Sequence, residues 1–282
     1  MKSIIKLYLL SPILVMLMIG CQKTERPVLG DYPTDESKPP LPPGELRFFV
    51  PFGDDPQKRY EVKDSISGDP AQVHPFNLTE GINGKAVQGT DAGNAIKYMG
   101  VNDFGAATSF TIAFWMKNTD KGRTEFVFSL VDDKYGWHHS AIFLLLEHGD
   151  ATATTLKLGL MDQWLEFPDS KKFAKPLMDG SWHHIAFVYD ETSSKMAYYF
   201  DGAMVEDAPA SATDVKKDGN PRGAVDLTTI KNLVLAGWNR HAKLAGPTDD
   251  WIKSYTGALD QFRLYNKALS ATEINALFAG KL

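Results

Sequence analysis

At 282 residues the chain is long enough for one large domain or two small ones, and either can bury a sizeable core. Hydrophobic residues make up 43% and charged residues 23%, an ordinary globular composition. The net charge is −5, with both signs mixed along the chain and no basic stripe, so nucleic acid is not an expected partner.

The first segment, residues 1–20, reads as a secretory signal: Lys2 and Lys6 precede an almost unbroken apolar run that ends at Gly20. Cys21 follows and is the only cysteine, so no internal disulfide is available. Met18-Ile19-Gly20-Cys21 resembles a bacterial lipobox, which implies lipidation at Cys21 after cleavage. An uncut membrane helix is the alternative, disfavoured because the run is short for a full span. Several acyl chains would anchor the protein firmly, at about 0.8 kcal/mol per buried methylene. Residues 21–44 form a proline-rich polar stretch with little to bury, an expected extended tether. Gln22 fits outer-membrane sorting, and Lys23 with Glu25 partly resembles a charged export signal of Bacteroidetes lipoproteins. The expected location is the outer membrane, lipid-anchored, with cell-surface and periplasmic display both open.

From residue 45 to 282 a single domain of alternating strands is expected. FTIAFWMK (110–117) sets Phe110, Ile112, Phe114 and Met116 on one face against Thr111, Ala113, Trp115 and Lys117 on the other. TEFVFSLV (124–131), SAIFLLLEH (140–148) and TTLKLGLM (154–161) continue the series. HHIAFVYD (183–190) and MAYYFDG (196–202) are joined by the polar turn ETSSK, and NLVLAGW (232–238) and GALDQFRLY (257–265) follow. Only SATEINALFAG reads as a helix, with Ser270 as N-cap, Glu273 completing a capping box and Gly280 as the stop. The fold class is therefore all-β: a two-sheet antiparallel sandwich with a short C-terminal helix.

Taken in order, FFVPFGDD (48–55), DSISG (64–68), GINGKAVQG (81–89), SFTIAFWMK (109–117), GSWHHIAFVYD (180–190), AYYFDGAMV (197–205), LVLAG (233–237) and YTGALDQFRLYNKALSATEINALF (255–278) resemble one family. It is the LamG-like group of concanavalin A-type jelly rolls, which includes laminin G and pentraxin modules. The resemblance covers nearly everything from residue 46 onward and implies a jelly roll, while leaving function open.

Enzymatic readings fare poorly. Glucanases of this fold class carry an alternating run of acids on one strand, and none is present. Glu147 and Asp150 fall on opposite strand faces, and Asp190-Glu191 are adjacent at a turn. RTEF (123–126), QVH (72–74) and YFDG (199–202) are similar to jelly-roll alginate lyase motifs, but their order differs and Asp201 replaces a lysine. A polysaccharide lyase is a further alternative.

For metals, the pairs His138-His139 and His183-His184 point to opposite strand faces and cannot close one zinc site. The resemblance implies a structural calcium near the terminal strands. Alternation puts Asp260 on one face with Phe262 and Leu264, and an inward carboxylate needs a cation or backbone donors. Asp64 is its natural partner ligand, the alternative being that Asp64 caps a turn and Asp260 bonds amides.

SLVDDKYGWHHS (129–140) interrupts the strands with a polar, aromatic loop expected at a rim of the sandwich. Tyr135 and Trp137 offer rings for sugar stacking, with Asp133 and His138 among the polar neighbours. MDQWLEF with Trp164 and GWNRH with Trp238 and Arg240 repeat this chemistry. The alternative for each tryptophan is a place in the core. The expected function is capture of a polysaccharide or glycan without catalysis, and a protein-binding adhesion or assembly module of the same fold is the alternative.

Overall fold

The computed structural model describes residues 40–53, 62–72, 77–246 and 248–281. Cys21, the signal segment, most of the tether, and the Val73-His74 part of the lyase-like motif lie outside these residues. The unit Leu41–Leu282 carries all the elements that follow.

Its strands open with β1 (Leu46–Val50), β2 (Asn77–Glu80), β3 (Lys85–Gln88) and β4 (Ile96–Tyr98). The long central strands are β5 (Phe110–Thr119), β6 (Thr124–Val131), β7 (Ser140–Gly149), β8 (Thr154–Leu160) and β9 (Gln163–Phe167). Next come β10 (Asp179–Asp190), β11 (Lys195–Phe200), β12 (Ala203–Met204), the single-turn helix α1 (Ala210–Thr213), β13 (Lys216–Lys217) and β14 (Asn220–Pro221). The chain closes with β15 (Asn232–Leu235), β16 (Ile252–Ser254), β17 (Ala258–Tyr265) and helix α2 (Ala271–Gly280).

These strands make two large sheets and a small β13–β14 hairpin. An eight-stranded sheet runs β12-β11-β10-β5-β17-β3-β2, with β1 also pairing β17. A seven-stranded sheet runs β4-β15-β6-β7-β8-β9, with β16 added parallel to β6. Period-two alternation explains their packing. Phe110, Ile112, Phe114 and Met116 of β5 share one core with Ile142, Leu144 and Leu146 of β7 and Leu156, Leu158 and Leu160 of β8. Phe114 and Phe262 of one sheet each meet Phe128 of the other, at 5.8 and 5.5 Å between ring centroids. Each such buried ring or branched chain stabilises the sandwich by about 1.5–3 kcal/mol.

The outer face of the eight-stranded sheet is closed by α2. Ser270 and Glu273 form the expected capping box, and the helix sets Ile274 over Ala113, Ala186 and Val188, whose small side chains admit it. Phe278 stacks on Trp115 at 5.6 Å. The β11–β12 turn uses Asp201 and Gly202, both at positive φ (48° and 78°). A Cβ on Gly202 would come within 2.9 Å of Phe278, so glycine serves both the turn and the helix contact.

Candidate functional site

The outer face of the seven-stranded sheet carries the candidate site, and strand register assembles it. Phe143 of β7 pairs with Gly159 of β8, which pairs with Trp164 of β9. With no side chain at Gly159, the two rings meet across it at 5.0 Å; a Cβ there would fall 2.0 Å from the Phe143 ring. One step along, Leu145, Lys157 and Glu166 form the parallel row. The Lys157 ammonium bonds Glu147 at 2.9 Å, approaches Glu166 at 3.7 Å and sits 5.7 Å from the centre of the Trp164 ring.

The loop 132–139 folds back over this face. Trp137 lies 6.2 Å from Trp164 and 5.2 Å from Trp238, yet stays 45% exposed. Trp164 is half-buried. Together they form a ledge of two indoles at 54° to each other, bordered by Lys157, Glu147 and Glu166.

Buried polar bonds fix the loop at its base. The His138 carbonyl accepts from Trp238 Nε1 (3.1 Å) and Ser140 Oγ (3.0 Å), while Asn239 Nδ2 donates to the His139 carbonyl (2.8 Å). Asn239 Oδ1 in turn accepts from Ser129 Oγ at 2.9 Å, and Ser129 and Ser140 are 2.6 Å apart through their hydroxyls. Apart from the part-buried bond to the His139 carbonyl these bonds are buried, where an unmade bond is costly, so they hold the loop in one arrangement.

The structure sorts the sequence-predicted residues into distinct roles. Trp238 is fully buried, stacked on Phe126 at 4.8 Å with the rings 5° from parallel. This corrects its expected place as a stacking surface: it is the floor beneath Trp137. Tyr135 also turns inward, into the main core, and its ring is closed to a sugar. His138 packs edge-on against Trp164, and burial holds its imidazole down to about 4, so it is neutral at physiological pH. Arg240 donates to the carbonyls of Thr248 and Asp249 and acts as a strut between two loops rather than a free cation. Asp133 is exposed but bonds Lys231 at 2.7 Å, beside the start of β15 and apart from the ledge contacts. Asp162 and Gln163, which accompany Trp164 in sequence, tie β9 to Arg222 and to the backbone of Asp214 and Lys216.

Two features escape sequence reasoning. Trp251, 51% exposed, immediately precedes Ile252, which packs into the Phe126–Trp238 cluster. The Glu147–Lys157–Glu166 trio becomes visible only through the pairing of β7, β8 and β9, although the alternation in TTLKLGLM and QWLEF already turns Lys157 and Glu166 away from the core.

The lyase-like segments are engaged elsewhere. Arg123 pairs with Asp91 and Glu125 on the seven-stranded sheet, and Glu125 also accepts from Thr256 Oγ1 at 2.7 Å. Asp201 belongs to the other sheet and bonds His183 Nδ1 at 2.9 Å, while Asp179 lies 3.1 Å from His183 Nε2. Burial alone would lower the His183 pKa, but the two carboxylates more than offset it and raise it.

The two expected calcium ligands engage different partners. Both oxygens of the buried Asp64 carboxylate are used: Oδ1 accepts from the amides of Phe49 and Ile66, and Oδ2 from Ser67 and Asn102 Nδ2 (2.6 Å). Its donor set is that of a turn cap, and a cation there would have to break it. Asp260 does not share a face with Phe262 and Leu264 as the alternation predicts. A bulge between Asp260 and Arg263 shifts the phase, so Asp260 stands opposite Trp115 while Leu264 faces Ile112. Its Oδ2 accepts from Ile82 N at 2.7 Å, its buried Oδ1 has no hydrogen-bond partner, and burial pushes its carboxyl up to about 7. Among the described residues no group of three or more His, Cys, Asp or Glu could hold a metal.

With fold and site in place, residues 89–275 match the family model described as the concanavalin A-like lectin/glucanases superfamily. The chain belongs to this family. No curated protein sequence gives a significant match. Among solved structures of similar fold is domain 4 of AbnA, a GH43 extracellular arabinanase from Geobacillus stearothermophilus, in complex with arabinotriose. It is 17% identical, the alignment covers 83% of this chain and 99% of that one, and the TM-score is 0.52. The receptor binding domain of botulinum neurotoxin mosaic serotype C/D (15% identity, 84% and 51% covered, TM-score 0.55) is also similar. So is the binding domain of Paraclostridial Mosquitocidal Protein 1 (16% identity, 84% and 52% covered, TM-score 0.54). This chain thus spans about half the length of the two toxin domains. At these identities the likeness establishes a concanavalin A-like jelly roll, a fold its family shares between lectins and glucanases.

Proposed function

We propose that this concanavalin A-like domain binds a polysaccharide or glycan without catalysis, at the Trp137–Trp164 ledge. The observation that carries the proposal is an indole 45% exposed on a loop whose base is locked by buried hydrogen bonds to the His138 carbonyl, next to a second, half-buried indole. A sugar ring stacks its C–H face on such a surface while its hydroxyls bond the charged border. The loop is preorganised, so little entropy is lost when a sugar docks.

A non-catalytic role is favoured by the state of the carboxylates. A glycosidase needs one acid held protonated and another free to attack or activate water. Glu147 and Glu166 instead share the Lys157 ammonium, so neither carboxylate stands free to attack a sugar or activate water. That the protein is exported, lipidated at Cys21 and held at the outer membrane is part of the same proposal, supported by its sequence alone. Calcium enters it only at Asp260, the member of the expected pair with an oxygen still unpaired.

The test is affinity electrophoresis of the protein through gels containing a range of polysaccharides. Retardation by at least one polymer is expected. No retardation by any, from folded protein with calcium present, would overturn the proposal in favour of a protein partner.

A further inference from the structure

We infer that the ledge selects uncharged sugars and excludes uronate- or sulphate-bearing polymers. This inference rests on the glycan-binding reading above and adds the chemistry of the ligand. Anionic glycans are bound through cations free to pair with carboxylate or sulphate. Among the described residues, Lys157 is the one cation placed against a ring of the ledge. It is already shared by Glu147 and Glu166, so the trio carries a net negative charge. Arg240, two residues after Trp238, is held by the Thr248 and Asp249 carbonyls, and Arg222 is paired with Asp162 beside β9.

An anionic sugar over Trp164 would meet two carboxylates, and to recruit Lys157 it would have to leave both of them unpaired. The side chains of Lys157, Glu147 and Glu166 are 22%, 24% and 34% exposed, so the repulsion acts in a partly desolvated setting. A neutral sugar meets the opposite situation. Its hydroxyls donate to carboxylate oxygens in charge-assisted bonds, and neighbouring hydroxyls can address the oxygens of one carboxylate together. The ring meanwhile stacks on Trp137. The ligand class is therefore a neutral polysaccharide with adjacent free hydroxyls.

The experiment is affinity electrophoresis through two sets of gels, one with neutral polymers (β-glucan, arabinan, galactomannan) and one with acidic polymers (polygalacturonate, alginate, dextran sulphate). Wild type, Trp137→Ala and the double variant Glu147→Gln/Glu166→Gln run side by side, with near-UV circular dichroism to confirm folding. The expected result is retardation by a neutral polymer, lost in Trp137→Ala, with roughly tenfold or greater preference over every acidic polymer, equivalent to about 1.4 kcal/mol. In the double variant Lys157 is released, and retardation by an acidic polymer should appear. Trp137-dependent retardation of wild type by an acidic polymer would overturn the inference and leave the glycan-binding reading standing. Retardation by none would overturn both. A folded double variant still indifferent to acidic polymers would show that this trio is not the filter.

Discussion

The two outer faces of the sandwich present similar side chains and end in different states. On the eight-stranded sheet, Trp115 and His184 are buried because α2 lays Phe278 across them, and the imidazole is pushed down to about 4 by burial. On the seven-stranded sheet, Trp164 also projects from a strand, but a loop covers it in place of a helix. A helix must bury a continuous stripe to be stable, so it closes what it touches. The loop 132–139 is secured at its base by Asn239, Ser129 and Ser140, which leaves its tip free to hold Trp137 at the surface. The covering element, more than the aromatic content of the face, decides whether a tryptophan is core or contact surface.

That comparison can be broken most forcefully at the floor of the open face. Trp238→Ala removes the ring stacked on Phe126 and the donor to the His138 carbonyl, and should cost about 3–5 kcal/mol in urea unfolding. A loss under 1 kcal/mol would show that the loop stands without its floor. Asn239→Ala leaves the His139 carbonyl and the Ser129 hydroxyl short of a partner and should cost about 1–3 kcal/mol. Hydrogen exchange should then quicken in residues 132–140 and stay unchanged in α2. If α2 responds equally, the two faces are not independent.

The histidines sharpen the comparison through pH. His138, His184 and His241 are held down to about 4 by burial, so below 6.5 the unfolded chain binds more protons than the native one. Their contribution to stability is present above 6.5 and is lost as pH falls toward 4. His183, with a raised pKa, contributes in the opposite sense: its stabilisation is complete below 6.5 and is lost as pH rises through the folded value. Melting temperature should therefore fall on both sides of a maximum. His183→Gln should flatten the alkaline limb and leave the acid limb in place; an unchanged alkaline limb would contradict the Asp179–His183–Asp201 assignment. The smallest expected effect is that of calcium. If Asp260 takes the ion, millimolar calcium should raise the melting temperature by mass action, and Asp260→Asn should abolish the rise. A rise retained in Asp260→Asn would place the ion elsewhere.

The fold was largely legible in the sequence because burial on one sheet face writes a period of two. TEFVFSLV forms β6 over the same residues, and Ser270 and Glu273 cap the helix where the box motif places them. What alternation cannot carry is anything that changes its phase or depends on distant pairing. The bulge after Asp260 inverts the expected face of that residue, and no local signal marks it beyond the interrupted pattern. The site was half legible. Trp137, Trp164 and Trp238 were each visible as aromatic residues with polar neighbours, but their convergence depends on β15 and the turn after it lying beside β6. Once they converge, one tryptophan has to lie beneath another, and the sequence does not say which. Lys157 carried no weight alone and gains it from Glu147 and Glu166 across the strands.

The central claim is that the loop-covered face binds and the helix-covered face does not. The most direct measurement compares Trp137→Ala with Met204→Ala, which removes a 42% exposed apolar side chain from the edge of the helix-covered sheet. Met204→Ala is a surface change expected to alter stability by no more than about 0.5 kcal/mol, whereas Trp137→Ala also gives up its ring contacts with Trp164 and Trp238, so near-UV circular dichroism must show both variants folded. In a gel containing the polysaccharide that retards wild type most, Trp137→Ala should migrate as it does without polymer, and Met204→Ala should be retarded like wild type. Equal retardation of all three proteins would contradict the account.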